Sequence, residues 1–198
     1  MMLTTTTTQL LSDLQDTANS SAWSELDSRY RPLLVRLAGR LGLAGDDADE
    51  LAQQTLTEFC RAYREGRYQR ERGRLRAWLI GIARNTALSM RRRRGAVRVG
   101  GNSALENLPD ELEISGIWDR EREQAIYEQA MAALRESTRT DAKTLLVFEL
   151  YAIQGKPVDD VAAQCNVTVD MVYVIKNRLT KRLRELVAAL TAAYDDGE

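Results

Sequence analysis

Residues 46–63 read DDADELAQQTLTEFCRAY, and this run opens a longer stretch that closes on the four arginines from Arg91 to Arg94. At about 100° of rotation per residue, a helix over this run has one apolar and one polar side. The apolar side contains Ala48, Leu51, Ala52, Thr55, Leu56, Phe59, Ala62 and Tyr63. The polar side contains Asp47, Glu50, Gln53, Gln54, Thr57 and Arg61. The pattern predicts a helix with one face in a core and the other available to a partner.

Charge is distributed unevenly along the chain, although the formal net charge is only −1. Residues 20–94 carry 16 basic and 9 acidic side chains, whereas residues 95–166 carry 7 basic and 13 acidic ones. Residues 167–194 are basic again, with 5 basic and 2 acidic side chains. Two basic blocks separated by an acidic one suit a protein that holds a polyanion at two places.

Several classes of function are disfavoured by what the sequence lacks. It has no histidine and only two cysteines, Cys60 and Cys165, so it offers no zinc set and no Cys/His or Ser/His pair. No nucleophile and base pair and no phosphate-binding glycine loop is found, so we expect no enzyme, no metal and no cofactor. Both cysteines fall on apolar helical faces and are expected to be buried. No apolar run of about 18 residues and no signal segment is present, which predicts a cytoplasmic protein without a membrane anchor.

The chain is predicted to form an all-α protein of two small helical domains joined by a flexible linker. Residues 1–19 are threonine-rich at the start and predicted as a flexible tail, and residues 20–94 as the first domain, whose first helix is capped by Ser20 or Ser21. Residues 95–117 contain glycines and Pro109 with little periodicity, which predicts a linker. Residues 118–194 form the predicted second domain, and residues 195–198 an acidic tail.

The second domain contains the pattern of a helix-turn-helix. A helical segment ends at Gly155, and a short helix is predicted from Val158 to Cys165. A turn then leads to Thr168, a good N-cap for a last long helix. A helix, a tight turn and a capped long helix make up this DNA-binding motif.

The first domain resembles sigma region 2 of bacterial RNA polymerase in the extracytoplasmic-function group, and the second resembles sigma region 4. The matching residues are Asp47 to Gln53, Glu71-Arg72-Gly73, Arg76-Ala77-Trp78-Leu79 and Ile82-Ala83-Arg84-Asn85. The resemblance implies an alternative sigma factor that binds the beta-prime and beta subunits of core RNA polymerase. It also implies recognition and melting of a minus-ten promoter element by the first domain and recognition of a minus-thirty-five element by the second.

The resemblance assigns site residues to three surfaces. Polymerase binding is expected at Asp47, Asp49, Glu50, Gln53, Gln54 and Thr57. Arginines and an aromatic ring suit a DNA strand with an unpaired base, and minus-ten contacts are expected at Tyr68, Arg70, Arg72, Arg74, Arg76, Arg84, Asn85 and Arg91. Minus-thirty-five contacts are expected at Asp170, Met171, Tyr173, Val174, Asn177, Arg178, Lys181 and Arg182.

Two departures from the family pattern affect these expectations. The family usually has a glutamate where Gln54 stands, so the chain lacks one charged contact to the polymerase. A phosphate on Thr55 or Thr57 would restore about −1.5 to −2 of charge, and one group of these sigma factors is activated by a Ser/Thr kinase at this helix. The family also has small or basic residues where Tyr173 and Val174 stand, which leaves the DNA sequence preference open.

Two other functions remain as alternatives at this point. The helix-turn-helix is compatible with a transcription regulator that acts without polymerase, although the long first domain argues against it. The polar helix face is compatible with a polymerase-bound adaptor that never initiates. Neither the promoter nor the existence of an anti-sigma protein can be read from the sequence.

Overall fold

The computed structural model describes residues 7–16, 19–69, 74–97, 109–136 and 141–194. The predicted all-α class is confirmed, because these residues form helices and no strand. The α-helices are α1 Thr7–Asp13, α2 Ser20–Arg40, α3 Asp46–Arg64, α4 Leu75–Val97, α5 Glu111–Glu136, α6 Ala142–Phe148, α7 Val158–Cys165 and α8 Val169–Tyr194. A π-helical segment, Glu149–Ile153, follows α6 directly. Within this part of the chain, no helix is both long and apolar enough to cross a membrane.

The chain divides into two compact units, and the division lies inside α5, between Ala125 and Ile126. The first unit contains α1 to α4 and the first half of α5. The second contains the rest of α5, α6, the π-helical segment, α7 and α8 as far as Ala193. The sequence placed the start of the second domain earlier, at residue 118, and this domain boundary stays a prediction.

The core of the first unit is built around α3, which packs against both α2 and α4. The buried side of α3 is the predicted apolar side, apart from the half-buried Tyr63. Opposite it, α2 buries Leu26, Tyr30, Leu33, Leu34 and Leu37, and α4 buries Leu79, Ala83, Ala87 and Met90. The helical period of the sequence therefore identified the packing surface of α3.

The start of the chain differs from the predicted flexible tail of residues 1–19. Thr7–Asp13 forms α1, which packs against α2 and buries Leu10 and Leu11, and Leu14 just beyond it is fully buried. The cap of α2 also differs, because the side chain of Asn19, rather than Ser20 or Ser21, accepts a hydrogen bond from the Ala22 backbone N–H at 3.2 Å. Three leucines at helical spacing gain enough buried area to hold the segment in place.

Both ends of the predicted linker, residues 95–117, are helical in the structure. The α4 helix continues to Val97, and α5 begins at Glu111. Asp110 and Glu113 form a reciprocal capping box: the Glu113 N–H donates to Asp110 Oδ1 at 2.8 Å, and the Asp110 N–H donates to Glu113 Oε2 at 3.2 Å. Residues 98–108 lie outside the described residues.

The second unit contains the predicted helix-turn-helix elements. Gly155 has a φ of +69° just after the π-helical segment, and Asn166, at φ 50°, ends α7 in the left-handed conformation. Thr168 Oγ1 accepts a hydrogen bond from the Met171 N–H at 3.2 Å, as predicted for the N-cap of α8. The core face of α8 includes the buried Val172, Ile175, Leu179, Leu186 and Leu190.

Candidate functional site

The polar side of α3 forms the first candidate surface, which we call the α3 polar face. Asp49, Glu50, Gln53 and Thr57 are exposed on it, and Asp47 and Gln54 are half-buried. The Gln54 amide Nε2 donates to Glu50 Oε1 at 2.6 Å, so Gln54 occupies one oxygen of this carboxylate. The face therefore combines carboxylates with amide groups and suits a basic partner.

A shallow pocket of about 580 Å³ lies at the end of this face. Its lining consists of Glu50, Gln53, Gln54, Thr57, Glu58, Arg61 and Thr86. Within it Arg61 forms a short ion pair with Glu58, and Arg67 approaches the same carboxylate at 3.4 Å. The Arg61 hydrogen bond lowers the pKa of Glu58 below its usual value. Sequence reasoning missed Glu58, although an arginine three residues later was a usable signal.

The two candidate phosphorylation residues have opposite surroundings. Thr57 is exposed and lines the pocket, whereas Thr55 is 0% exposed on the core side of α3. The Thr55 hydroxyl has no hydrogen-bond partner among the described residues. A kinase can therefore reach Thr57 in the folded chain but not Thr55.

The predicted DNA loop is described only in part, because Arg70 and Arg72 lie outside the described residues. Tyr68 is half-buried and belongs to an aromatic cluster, with its ring centroid 5.7 Å from Phe59, 5.9 Å from Tyr63 and 5.5 Å from Trp78. Arg74, at the start of α4, is exposed. Trp78, expected to belong mainly to the core, is half-buried at the edge of this cluster.

The remaining predicted minus-ten residues lie along α4 and differ in their exposure and in their bonds to the rest of the chain. Asn85 is exposed, whereas Arg84 and Arg91 are half-buried, and Arg91 donates to the Leu41 carbonyl. Arg76 is bound within the first unit, because its Nη2 lies 2.7 Å from Asp119 Oδ2 and also donates to Ser115. Asp119 and Ser115 are on α5, so the first half of α5 shares Arg76 with any DNA that binds there.

The N-terminal helix adds a feature that sequence reasoning missed. A cavity of about 540 Å³ lies between α1 and the loop that follows α3. Its walls include Ser12 and Gln15 from the N-terminal segment and Tyr63, Tyr68 and Gln69 from the loop side. Tyr63 donates its hydroxyl to the Leu11 carbonyl, and burial raises the pKa of this tyrosine. The loop is therefore supported by the N-terminal segment.

The exposed side of α8 forms the third candidate surface. Asp170, Met171, Tyr173, Val174, Asn177, Arg178, Lys181 and Arg182 are all exposed, as predicted for these residues. Arg182 also pairs with Glu185 at 3.3 Å. Apart from Asp170, the surface is apolar in its first turns and basic in the following turns, and no predicted residue of this set is buried.

Comparison with known proteins gives three findings. Residues 26–97 match the model of the family described as Sigma-70 region 2. The chain is 28% identical over 177 residues to the ECF RNA polymerase sigma factor SigE of Mycolicibacterium smegmatis, with 87% of this chain and 64% of that protein covered. The chain therefore spans less than two thirds of the length of this relative.

Among solved structures, the chain is similar to CnrH in complex with the cytosolic domain of CnrY. The two share 22% sequence identity, and the alignment covers 91% of this chain and 96% of that chain. The TM-score is 0.35, so this likeness adds nothing to the argument from sequence. The family match instead coincides with the first unit, because residues 26–97 include α3, α4 and most of α2.

Proposed function

We propose that the chain is a sigma factor of the extracytoplasmic-function group and that it directs core RNA polymerase to promoters. It acts without chemistry of its own. The α3 polar face binds the polymerase, while the loop and α4 bind and open the minus-ten element and α8 reads the minus-thirty-five element.

The observation that carries this proposal is the two-sided α3 inside the matched region. One side is fully packed between α2 and α4, and the other presents acids and amides on an exposed surface. An exposed acidic face on a rigid helix suits a basic partner, because the surrounding packing fixes its side chains before binding. The position of this helix within residues 26–97 supports the polymerase as that partner.

The DNA-binding part of the proposal rests on two basic surfaces. Arg74, Arg84 and Asn85 lie on or beside α4 in the first unit. Arg178, Lys181 and Arg182 lie on α8 in the second. Neutralised phosphates supply most of the affinity of such surfaces, whereas base contacts supply the specificity.

Transcription in vitro tests the proposal directly. Core polymerase plus the full chain should initiate from a template selected from a random promoter library, and core polymerase alone should not. Glu50→Arg should abolish initiation by weakening polymerase binding, whereas Glu136→Arg, far from the α3 polar face in sequence and also exposed, should not. A chain that binds duplex DNA alone and initiates nothing would instead be a regulator, and one that binds polymerase but never initiates would be an adaptor.

We also propose that phosphorylation of Thr57 strengthens polymerase binding. The exposed hydroxyl lies in the shallow pocket, and Arg61 follows four residues later on the same helix face. A phosphate there would add charge of about −1.5 to −2 to the face that lacks the family's glutamate. The burial of Thr55 supports Thr57 as the acceptor, because a phosphate at Thr55 would have to enter the core.

Binding measurements before and after kinase treatment test this second proposal. Phosphorylated chain, and Thr57→Glu to a smaller extent, should bind core polymerase more tightly than the unmodified chain. Thr57→Ala should remove the response to the kinase, whereas Thr86→Ala, a change of the other pocket threonine, should keep it. Equally tight binding by the unmodified chain would contradict the proposal.

A further inference from the structure

Three large apolar side chains are exposed close together at the start of α8. Met171 is 48% exposed, Tyr173 43% and Val174 57%. The three side chains do not belong to the core, because Val172, Ile175 and Leu179 already form the buried side of the same turns. Isolated apolar side chains on a surface are ordinary, but three exposed ones within four residues of a helix indicate a contact surface. We call these three residues the α8 apolar cluster.

Two of the three side chains are held in place before anything binds. The Tyr173 ring lies edge-on to Tyr151 of the π-helical segment, with 5.7 Å between ring centroids. A hydrogen bond with Tyr151 raises the pKa of Tyr173 above its usual value. Val174 is β-branched and therefore restricted in χ1 on a helix. Little conformational entropy is lost when such side chains are covered.

The neighbouring charges indicate what covers the cluster. At about 100° per residue, Val174 lies on the same line of α8 as Asn177 and Lys181. Arg178 and Lys181 are exposed and follow the cluster by one to two turns. Basic side chains beside an apolar patch suit a polyanion that also presents apolar groups. In the major groove of DNA the thymine 5-methyl is the apolar group that base edges present.

We propose that the α8 apolar cluster reads thymine 5-methyl groups in the upstream promoter element. This inference rests on the proposed function and names the feature of the DNA that α8 recognises. Val174 lies at the centre of the exposed face and contacts a methyl group directly, and Met171 and Tyr173 extend the apolar surface to either side. Arg178 and Lys181 bind the phosphates and so position the helix without adding sequence preference.

Replacing thymine with uracil tests the proposal, because uracil pairs identically and lacks only the methyl group. A duplex is first selected from a random promoter library with the assembled holoenzyme, and each upstream thymine is then replaced separately. One or more replacements should weaken binding roughly 3- to 5-fold, the value expected for one buried methyl group. The same replacement outside the upstream element should have no effect.

Matched variants assign the effect to the cluster. Val174→Thr keeps the side-chain shape and exchanges one methyl for a hydroxyl, so it should abolish the uracil penalty at one position. Arg178→Gln should weaken thymine and uracil duplexes equally and reduce the salt dependence of binding. Circular dichroism of both variants should be unchanged, because both side chains are exposed.

Three results would overturn the proposal. A holoenzyme that recognises its promoter but binds thymine and uracil duplexes equally would contradict recognition of the methyl group. That result would leave the proposed function intact. If replacing thymine with uracil still weakens binding by Val174→Thr and Tyr173→Ser, other residues contact the methyl groups. Loss of polymerase affinity, rather than thymine preference, in these variants would make the cluster a protein-docking surface. Absence of initiation from every template would remove the proposed function itself.

Discussion

Thr55 and Thr57 are two residues apart on α3 but have entirely different surroundings. Thr57 lies in a polar pocket beside Glu58 and Arg61, whereas Thr55 lies within the core with an unpaired hydroxyl. A buried hydroxyl without a partner costs free energy that an apolar group of the same shape does not. A phosphate could therefore be accommodated at one position and would disrupt packing at the other.

The unpaired hydroxyl of Thr55 gives a stability prediction. Thr55→Val should raise the free energy of unfolding by about 1 kcal/mol, because the buried polar atom is replaced by a methyl group. Thr57→Val, at an exposed position, should change it by less than about 0.5 kcal/mol. Urea denaturation followed by circular dichroism measures both values. A clear destabilisation by Thr55→Val would mean that the hydroxyl has a partner in solution.

Arg76 pairs with Asp119 and is also a predicted DNA contact, and a substitution of Arg76 tests both roles. Its ion pair with Asp119 is partly exposed, so Arg76→Gln should cost less than about 1 kcal/mol of unfolding free energy. The same change should reduce the salt slope of DNA binding by about 1, because one phosphate contact is lost. Arg40→Gln is the control, since Arg40 pairs with Glu121 of the same helix and is no predicted DNA contact. An unchanged salt slope in both variants would make Arg76 purely structural.

At the scale of the elements, the capping residues explain which helix ends could be predicted from the sequence and which could not. The Thr168 cap and the Gly155 stop were predictable from residue type alone. The capping box of Asp110 and Glu113 uses the same kind of side-chain hydrogen bond, but the preceding glycine-rich segment led to the prediction of a linker there. The short α1 lacks such a signal, and it is held by its contacts with α2 and by the hydrogen bond from Tyr63 to the Leu11 carbonyl.

The N-cap of α6 predicts a pH dependence of stability. Hydrogen bonds from the Thr144 backbone N–H and hydroxyl lower the pKa of Asp141. The charged carboxylate is therefore favoured in the folded chain, and its contribution is complete above the unfolded pKa of about 3.9 and lost as the pH falls through the lower folded value. Asp141→Asn keeps a good cap without the titration.

Denaturation at a series of pH values measures this contribution. The stability difference between the parent chain and Asp141→Asn should be constant from pH 6 to about 5 and should shrink as the pH falls below about 4. A difference that stays constant throughout, or that grows in acid, would contradict a lowered pKa for Asp141.

The first half of α5 is expected to be a major part of the first unit. Trp118 is 2% exposed and stacks on Tyr30, with 6.4 Å between ring centroids. Trp118→Ala should lower the free energy of unfolding by about 3–5 kcal/mol, because a large buried ring is lost. Leu112→Ala, at an 83% exposed position of the same helix, should change it by less than about 0.5 kcal/mol. Similar effects of the two changes would mean that this half of α5 is not packed in solution.

At the scale of the whole molecule, the sequence predicted the helices with strong periods and missed long-range pairing. The buried sides of α2, α3 and α8 follow from residue spacing alone. The pairing of Arg76 with Asp119, 43 residues away, does not, because exposed arginines and acids have many partners of similar energy. No local signal tells which helices Trp118 packs against, so the start of the second domain at residue 118 stays a prediction.

The position of the division inside α5 can be tested with fragments. A fragment of residues 1–125 should be folded and should bind core polymerase, because it keeps Trp118 and the α3 polar face. A fragment of residues 1–97 should be less stable, since it exposes the surface that Trp118 and Ile114 cover. Equal melting temperatures of the two fragments would favour the earlier boundary.

The surroundings of the two cysteines determine how readily their thiols react with oxidants. Cys165 is buried, and burial raises the pKa of the half-buried Cys60 to about 11. The thiolate is the form that attacks peroxide, and almost none is present at neutral pH. Hydrogen peroxide should therefore react slowly with Cys60 because of its raised pKa, and with Cys165 because of its burial.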